Sequence, residues 1–217
     1  MPTIRIFTEG IADKRFLEEY AGHIAPNFKT TEKTIQAAGG WTNIDSKTKE
    51  GESIRNQMRI NTDNDGINLV IFDADEDFRN RRQEIENWKS KYDLSFELFL
   101  LPDNQNSGAL EDLLERIITS NNRPIFDCWN AFENCLQGCA SKSIERRLTI
   151  PAKKTKIYAY LEVLLGETKK EKEKIKEKER DYNNKEHWDL NSDYLSPLKN
   201  FLLKNIDDCD TVQHSPS

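Results

Sequence analysis

The chain has 217 residues, 36% hydrophobic and 32% charged, with a formal net charge of −6. That length holds one domain, or a core domain with an extension, and no run approaches the roughly 18 apolar residues of a membrane span. The start, residues 1–7, reads as a short strand rather than a secretory signal, so a cytoplasmic location is expected. An acidic chain is repelled on average by DNA or RNA, so nucleic-acid binding would need a local basic patch or metal ions.

Ile4-Arg5-Ile6-Phe7 alternates and reads as the first strand. A helix over residues 13–24 follows, with Phe16, Leu17 and Tyr20 at helical spacing and Asp13 as a candidate N-cap. Residues 33–38 form a weaker strand ending at Gly39-Gly40, and residues 52–60 a helix with Ile54 and Met58 inward. Residues 68–73 are the clearest strand: Leu69-Val70-Ile71-Phe72 is continuously apolar, as in a strand covered on both faces. Residues 78–91 form a charged helix with Ile85 and Trp88 inside. A strand over residues 96–101 stops at Pro102, and a helix over residues 110–118 follows a polar loop. This alternation predicts an α/β fold with a mainly parallel sheet flanked by helices.

Beyond Pro124 the strand signals stop. Residues 125–136, 143–148, 156–165 and 194–203 read as helices. Cys128, Cys135 and Cys139 share one helical face with Phe132 and are expected to form a buried apolar stripe, which suits a reducing compartment. No C-x-x-C pair supports a zinc knuckle. Residues 167–186 are dominated by Lys and Glu and read as a solvated helix or mobile insertion, with a nucleic-acid-binding arm as the alternative. The expected organisation is a core over residues 1–122, a helical extension over 123–206 and a disordered tail over 207–217.

Three acidic motifs follow predicted strands, at the edge where open α/β sheets bind ligands. Thr8-Glu9-Gly10 comes first, with Gly10 suited to a tight turn and Asp13 four residues after Glu9. Asp73-Ala74-Asp75 comes second. On an extended chain its two carboxylates point to one side, an arrangement that favours a hard cation such as Mg²⁺. Asp73, Asp75, Asp77 and Glu84 also match EF-hand positions, but Phe78 replaces the required glycine and the flanking run reads as strand. The third motif is Ser107-Gly108-Ala109-Leu110-Glu111-Asp112, in which Ser107 suits a helix cap and Glu111 and Asp112 suit a first turn.

The segment from Ile4 to Gly10, with Asp13, resembles the first TOPRIM motif, and Leu69 to Asp75 resembles the second. With Ser107 to Glu111, the pattern looks most like an uncharacterised bacterial TOPRIM-like family, a domain of unknown function related to the overcoming-lysogenization-defect nucleases. The resemblance covers roughly residues 3–120. It implies a TOPRIM-like fold and Mg²⁺ or Mn²⁺ held by Asp73 and Asp75. Glu9 would act as general acid/base or ligand, and Glu111 would help form a second metal site. The same resemblance calls for an assisting basic residue, with Lys154 or Lys156 as candidates; Gly10, Ser107 and Lys154 are the residues expected to meet substrate. No Walker-type phosphate loop, topoisomerase-type tyrosine or primase zinc ribbon accompanies these motifs.

The leading expectation is therefore a metal-dependent phosphodiester-cleaving enzyme acting on DNA or RNA. Lys142, Arg146, Arg147, Lys153, Lys154 and Lys156 would line the substrate path or form a solvated face. The alternatives are a non-catalytic module that binds a partner such as a separately encoded ATPase, and a phosphatase or phosphotransferase acting on a small substrate.

Overall fold

The computed structural model describes residues 3–140 and 148–211. Its strands are β1 (Ile4–Thr8), β2 (Ile35–Ala37), β3 (Ile67–Asp73) and β4 (Glu97–Leu101). They form one all-parallel sheet in the order β2-β1-β3-β4. Between them run α1 (Ile11–Ile24), the short α2 (Trp41–Asp45), α3 (Lys49–Asp63) and α4 (Phe78–Lys91). After β4 come α5 (Leu110–Arg116), α6 (Arg123–Ala140), α7 (Lys153–Leu165), α8 (Lys169–Glu173) and α9 (Ser196–Thr211).

The two-residue periodicity of β3 divides the core. Leu69 and Ile71 face a cluster with Phe16, Leu17 and Tyr20 of α1, while Val70 and Phe72 face Met58 of α3 and Ile85 and Trp88 of α4. Both faces of the strand are therefore buried, as its unbroken apolar run predicts. The chain winds outward from β1 to β2, then crosses back over β1 to β3 and β4. That reversal places a topological switch point between the carboxyl ends of β1 and β3.

The residues after 122 share this core rather than forming a second one. Phe126, Ile157, Tyr160, Leu161, Trp188, Leu198 and Leu202 belong to the cluster that also holds Ile6, Ile71 and Leu101. The Lys/Glu-rich segment departs most from expectation. Only α8 and one 3-10 turn, Glu177–Glu179, are helical there, and Ile175, Arg180 and Tyr182 are buried. Tyr182 packs edge-on against Phe16 at 5.3 Å between ring centroids. The Glu19 carboxylate accepts from the main-chain N–H groups of Tyr182 and Asn183, and Arg15 Nε donates to the Arg180 carbonyl at 2.9 Å. Sparse buried residues thus dock the segment on α1 while most of its Lys and Glu side chains face water.

Other expectations need correction. Gly10 precedes α1 as its N-cap, and Asp13 is the third helical residue rather than the cap. The α6 cysteines are not a buried stripe: Cys128 and Cys135 are exposed, Cys139 is half-buried and Phe132 is 45% exposed. Helix α9 continues to Thr211, past the expected start of the tail. The expected helix over 143–148 and the cations Lys142, Arg146 and Arg147 fall wholly or mainly outside the described residues. Among the described residues, no helix is long and apolar enough to cross a membrane.

Candidate functional site

Glu9 leaves the end of β1 and Asp73 ends β3, so adjacent parallel strands deliver both to the switch point. Asp13 is added from the first turn of α1, and its Oδ2 accepts from Gly10 N–H at 2.7 Å. Gly10 itself is extended, with φ −126°, so its role is not a left-handed turn. A Cβ at Gly10 would stand 3.2 Å from that Asp13 oxygen. Glu111 enters from the first turn of α5, where Asp73 Oδ1 accepts from Leu110 N–H at 3.0 Å.

These carboxylates act on one another. The Asp73 carboxyl is pushed up to about 9, first by burial and then by the charges of Asp13, Glu9 and Glu111. Leu110 N–H opposes that rise. Asp13 is pushed up to about 6, first by burial, against the opposing Gly10 N–H and with the charges of Glu111 and Glu9 adding to it. Asp73 thus keeps its proton at neutral pH unless a cation takes the proton's place.

Asp75 departs from the expected geometry. Its φ is 53°, so the extended backbone ends before it and the two-residue alternation no longer aligns it with Asp73. Its main chain instead pairs with Gly108, whose N–H donates to the Asp75 carbonyl at 2.7 Å. Gly108 has φ 144°, and a Cβ there would stand 2.7 Å from Asp112 Oδ2. Only glycine fits, and this contact ties the loop before α5 to the end of β3.

The sequence reading missed Arg81. It is 6% exposed, and its Nη2 binds Glu9 Oε2 at 2.9 Å and Asp75 Oδ2 at 3.3 Å. Its Nε donates to the Asp73 carbonyl at 3.2 Å, and its guanidinium lies 5.0 Å from the Trp41 ring centroid. Glu9 Oε1 also accepts from Trp41 N–H at 3.3 Å. A signal for Arg81 was present: Arg81, Ile85 and Trp88 stand at i, i+4 and i+7, which puts a cation in the apolar stripe of α4. Glu9 and Asp75 therefore converge on one nitrogen, while the charges of Glu111 and Glu9 act on Asp73 and Asp13.

The remaining candidates scatter. Ser107 does not cap α5; its Oγ accepts from Phe78 N–H at 3.1 Å at the start of α4. The α5 cap is made by Asp112, whose Oδ2 accepts from Ala109 N–H at 2.8 Å. Lys156 is buried between α5, α6 and α7 and donates to Glu115 Oε1 and Asn130 Oδ1, each at 2.9 Å. Its bonds go to that helical layer rather than to the acid cluster. Lys154 pairs with Glu177, which raises its affinity for a proton, and Glu111 adds to that effect. Lys154 therefore lies within electrostatic reach of Glu111. Beside the loop before α5 a cleft of about 550 Å³ is lined by Ser107, Asp112, Arg116, Arg123 and Tyr194, among others.

Among the described residues, no three His, Cys, Asp or Glu side chains form a ready-made cage for a metal. The donor chemistry nevertheless fits one class of ion: every side-chain donor in the cluster is a carboxylate oxygen, which suits hard divalent cations rather than zinc or copper.

Fold and site define a doubly wound α/β protein with an acid cluster at its switch point. The chain belongs to DUF3226, a family described as proteins of unknown function, whose model matches residues 3–207. That match runs past residue 122 and through the segment docked on α1. Neither the curated proteins nor the solved structures yield a match to this chain.

Proposed function

We propose that this is a TOPRIM-like, Mg²⁺- or Mn²⁺-dependent phosphodiester-cleaving enzyme that acts on DNA or RNA. One observation carries the reading: at the carboxyl edge of β1 and β3, burial first and then the charges of neighbouring acids, among them Glu9 and Glu111, raise the carboxyls of Asp13 and Asp73, which a cation would relieve. The sheet order and the two motif-bearing strand ends support the TOPRIM-like assignment.

A bound divalent ion would polarise a phosphodiester oxygen and lower the barrier to attack by water. Asp73 would be its principal ligand, with Asp13 and Glu111 as further carboxylate donors. Glu9 is fixed by Arg81 and Trp41 N–H, which leaves it positioned to accept a proton at the mouth of the site. The adjoining cleft offers the guanidinium groups of Arg116 and Arg123 to a phosphate, set beside Asp103, Asp112 and Glu115.

The test is cleavage of single- and double-stranded DNA and RNA with Mg²⁺ or Mn²⁺, with Asp73→Ala and Glu9→Gln alongside. Metal-dependent cleavage that Asp73→Ala abolishes supports the assignment. Cleavage unaffected by Asp73→Ala removes the site from the reaction. A second reading, a non-catalytic module for a partner such as an ATPase, is favoured by the Arg81 guanidinium already neutralising Glu9 and Asp75. Bound metal with no cleavage of any polymer would select it over the enzyme.

A further inference from the structure

The cleft beside the loop before α5 has a charge balance of its own. Its volume of about 550 Å³ lies within the roughly 300–1,000 Å³ of ligand-binding clefts. Three acids line it, Asp103, Asp112 and Glu115, with two cations, Arg116 and Arg123. Two of the acids are already paired. Lys153 Nζ donates to both Asp112 oxygens at 2.7 and 2.8 Å, and Lys156 Nζ donates to Glu115 Oε1 at 2.9 Å. Asp103 turns to its own loop: Oδ1 accepts from the N–H groups of Gln105 and Asn106 at 3.0 and 2.8 Å, and Oδ2 from Asn106 Nδ2 at 2.7 Å.

The two guanidinium groups are held in place but not neutralised. Arg123 Nη1 donates to the Glu115 carbonyl at 3.1 Å, and the Arg116 guanidinium lies 5.8 Å from the Tyr194 ring centroid. Both side chains are exposed, and among the described residues neither makes an ion pair. Two arginines thus stand against a single carboxylate that no Lys or Arg neutralises. The cleft draws anions, and the planar fork of N–H donors on each arginine matches phosphate oxygens.

Helix α5 sets this cleft apart from the acid cluster. Leu110, whose N–H donates to Asp73 Oδ1, opens the helix, and Arg116 closes it, about 9 Å further along the axis. Arg123 is anchored on the last turn. None of Glu9, Asp13, Asp73 and Glu111 lines the cleft. We infer that the cleft binds a second phosphate of the substrate, distinct from the one attacked at the acid cluster, with Arg116 and Arg123 as its cations. The inference rests on the reading above that the chain acts on nucleic acid. It narrows the substrate to a strand with at least two phosphates, as against a lone phosphate monoester. The arginines supply the charge themselves, so this contact needs no metal.

The experiment is fluorescence anisotropy of a short labelled single strand, as DNA and as RNA, titrated with the full-length protein in EDTA. Wild type is expected to bind. Arg116→Gln and Arg123→Gln each weaken binding about tenfold, the loss of one charge-assisted contact. Lys169→Gln, which removes an exposed cation at the start of α8, changes it less than about twofold. Adenosine monophosphate and inorganic phosphate compete at least about tenfold more weakly than unlabelled strand. Binding unchanged in both arginine variants, or weakened as much by Lys169→Gln, overturns the inference. Competition by the monophosphate or by phosphate as strong as by the strand also overturns it, and makes the cleft a small-molecule site. A strand bound only when Mn²⁺ is added overturns it while leaving the metal-dependent reading intact. No strand binding with or without Mn²⁺ overturns both.

Discussion

At Asp73 a single side chain carries stability, charge and the proposed chemistry together. Its folded carboxyl holds a proton up to about 9, against 3.8 for the ordinary group. The stabilising contribution of that proton is therefore complete below about pH 4 and is lost as the pH rises through about 9. Asp13 behaves likewise over a narrower window that ends near 6. Metal-free protein is expected to lose stability steadily from pH 5 to pH 9 in urea unfolding followed by circular dichroism. Asp73→Asn, which keeps an acceptor for Leu110 N–H, should flatten that slope and stabilise the protein at pH 8 by on the order of 1–3 kcal/mol. A wild-type stability that rises over this range would contradict the charge crowding. Residue identities in the cluster were legible because acids after two predicted strands meet at a parallel sheet edge. Their partners were not. The side-to-side alternation that pairs Asp73 with Asp75 requires an extended chain, and a φ of 53° at Asp75 ends it. Arg81 was hidden because its charge assigned it to the wet face of a helix whose spacing puts it on the buried one.

Among the elements, α4 was predicted from Phe78 to Lys91 and is observed over those residues, since Asp77 provides a clear cap and Ile85 and Trp88 a clear stripe. The segment from 167 to 186 was not legible, because its burial rests on three scattered residues that no periodic pattern joins. Tyr182→Ala should cost about 3–5 kcal/mol in chemical denaturation, as expected for deleting a buried aromatic ring. A solvated or mobile segment would lose almost nothing. Helix α6 fails in the opposite sense: its spacing predicts an inner face, but α7 covers only part of it. Val163 of α7 is itself 68% exposed. Cys128 and Cys135 should therefore react with a thiol reagent in native buffer at nearly the rate of a free thiol. Protection until the protein unfolds would show that the face is covered.

At the scale of the whole molecule, the α/β class and parallel sheet followed from the alternation of strand and helix patterns, and the β2-β1-β3-β4 order then put the acids at a switch point. The helical extension after residue 122 shares the core, because its buried apolar residues complete the α1 side of the sheet. The central claim is that this edge is built for a divalent cation with Asp73 as its anchor. Thermal unfolding at pH 8 with and without millimolar Mg²⁺ or Mn²⁺ tests it most directly, in wild type and in Asp73→Asn. An ion present at about 100 times its dissociation constant should stabilise wild type by about 2.7 kcal/mol and leave the variant unmoved. Equal shifts in both proteins, or none in wild type, would contradict the claim.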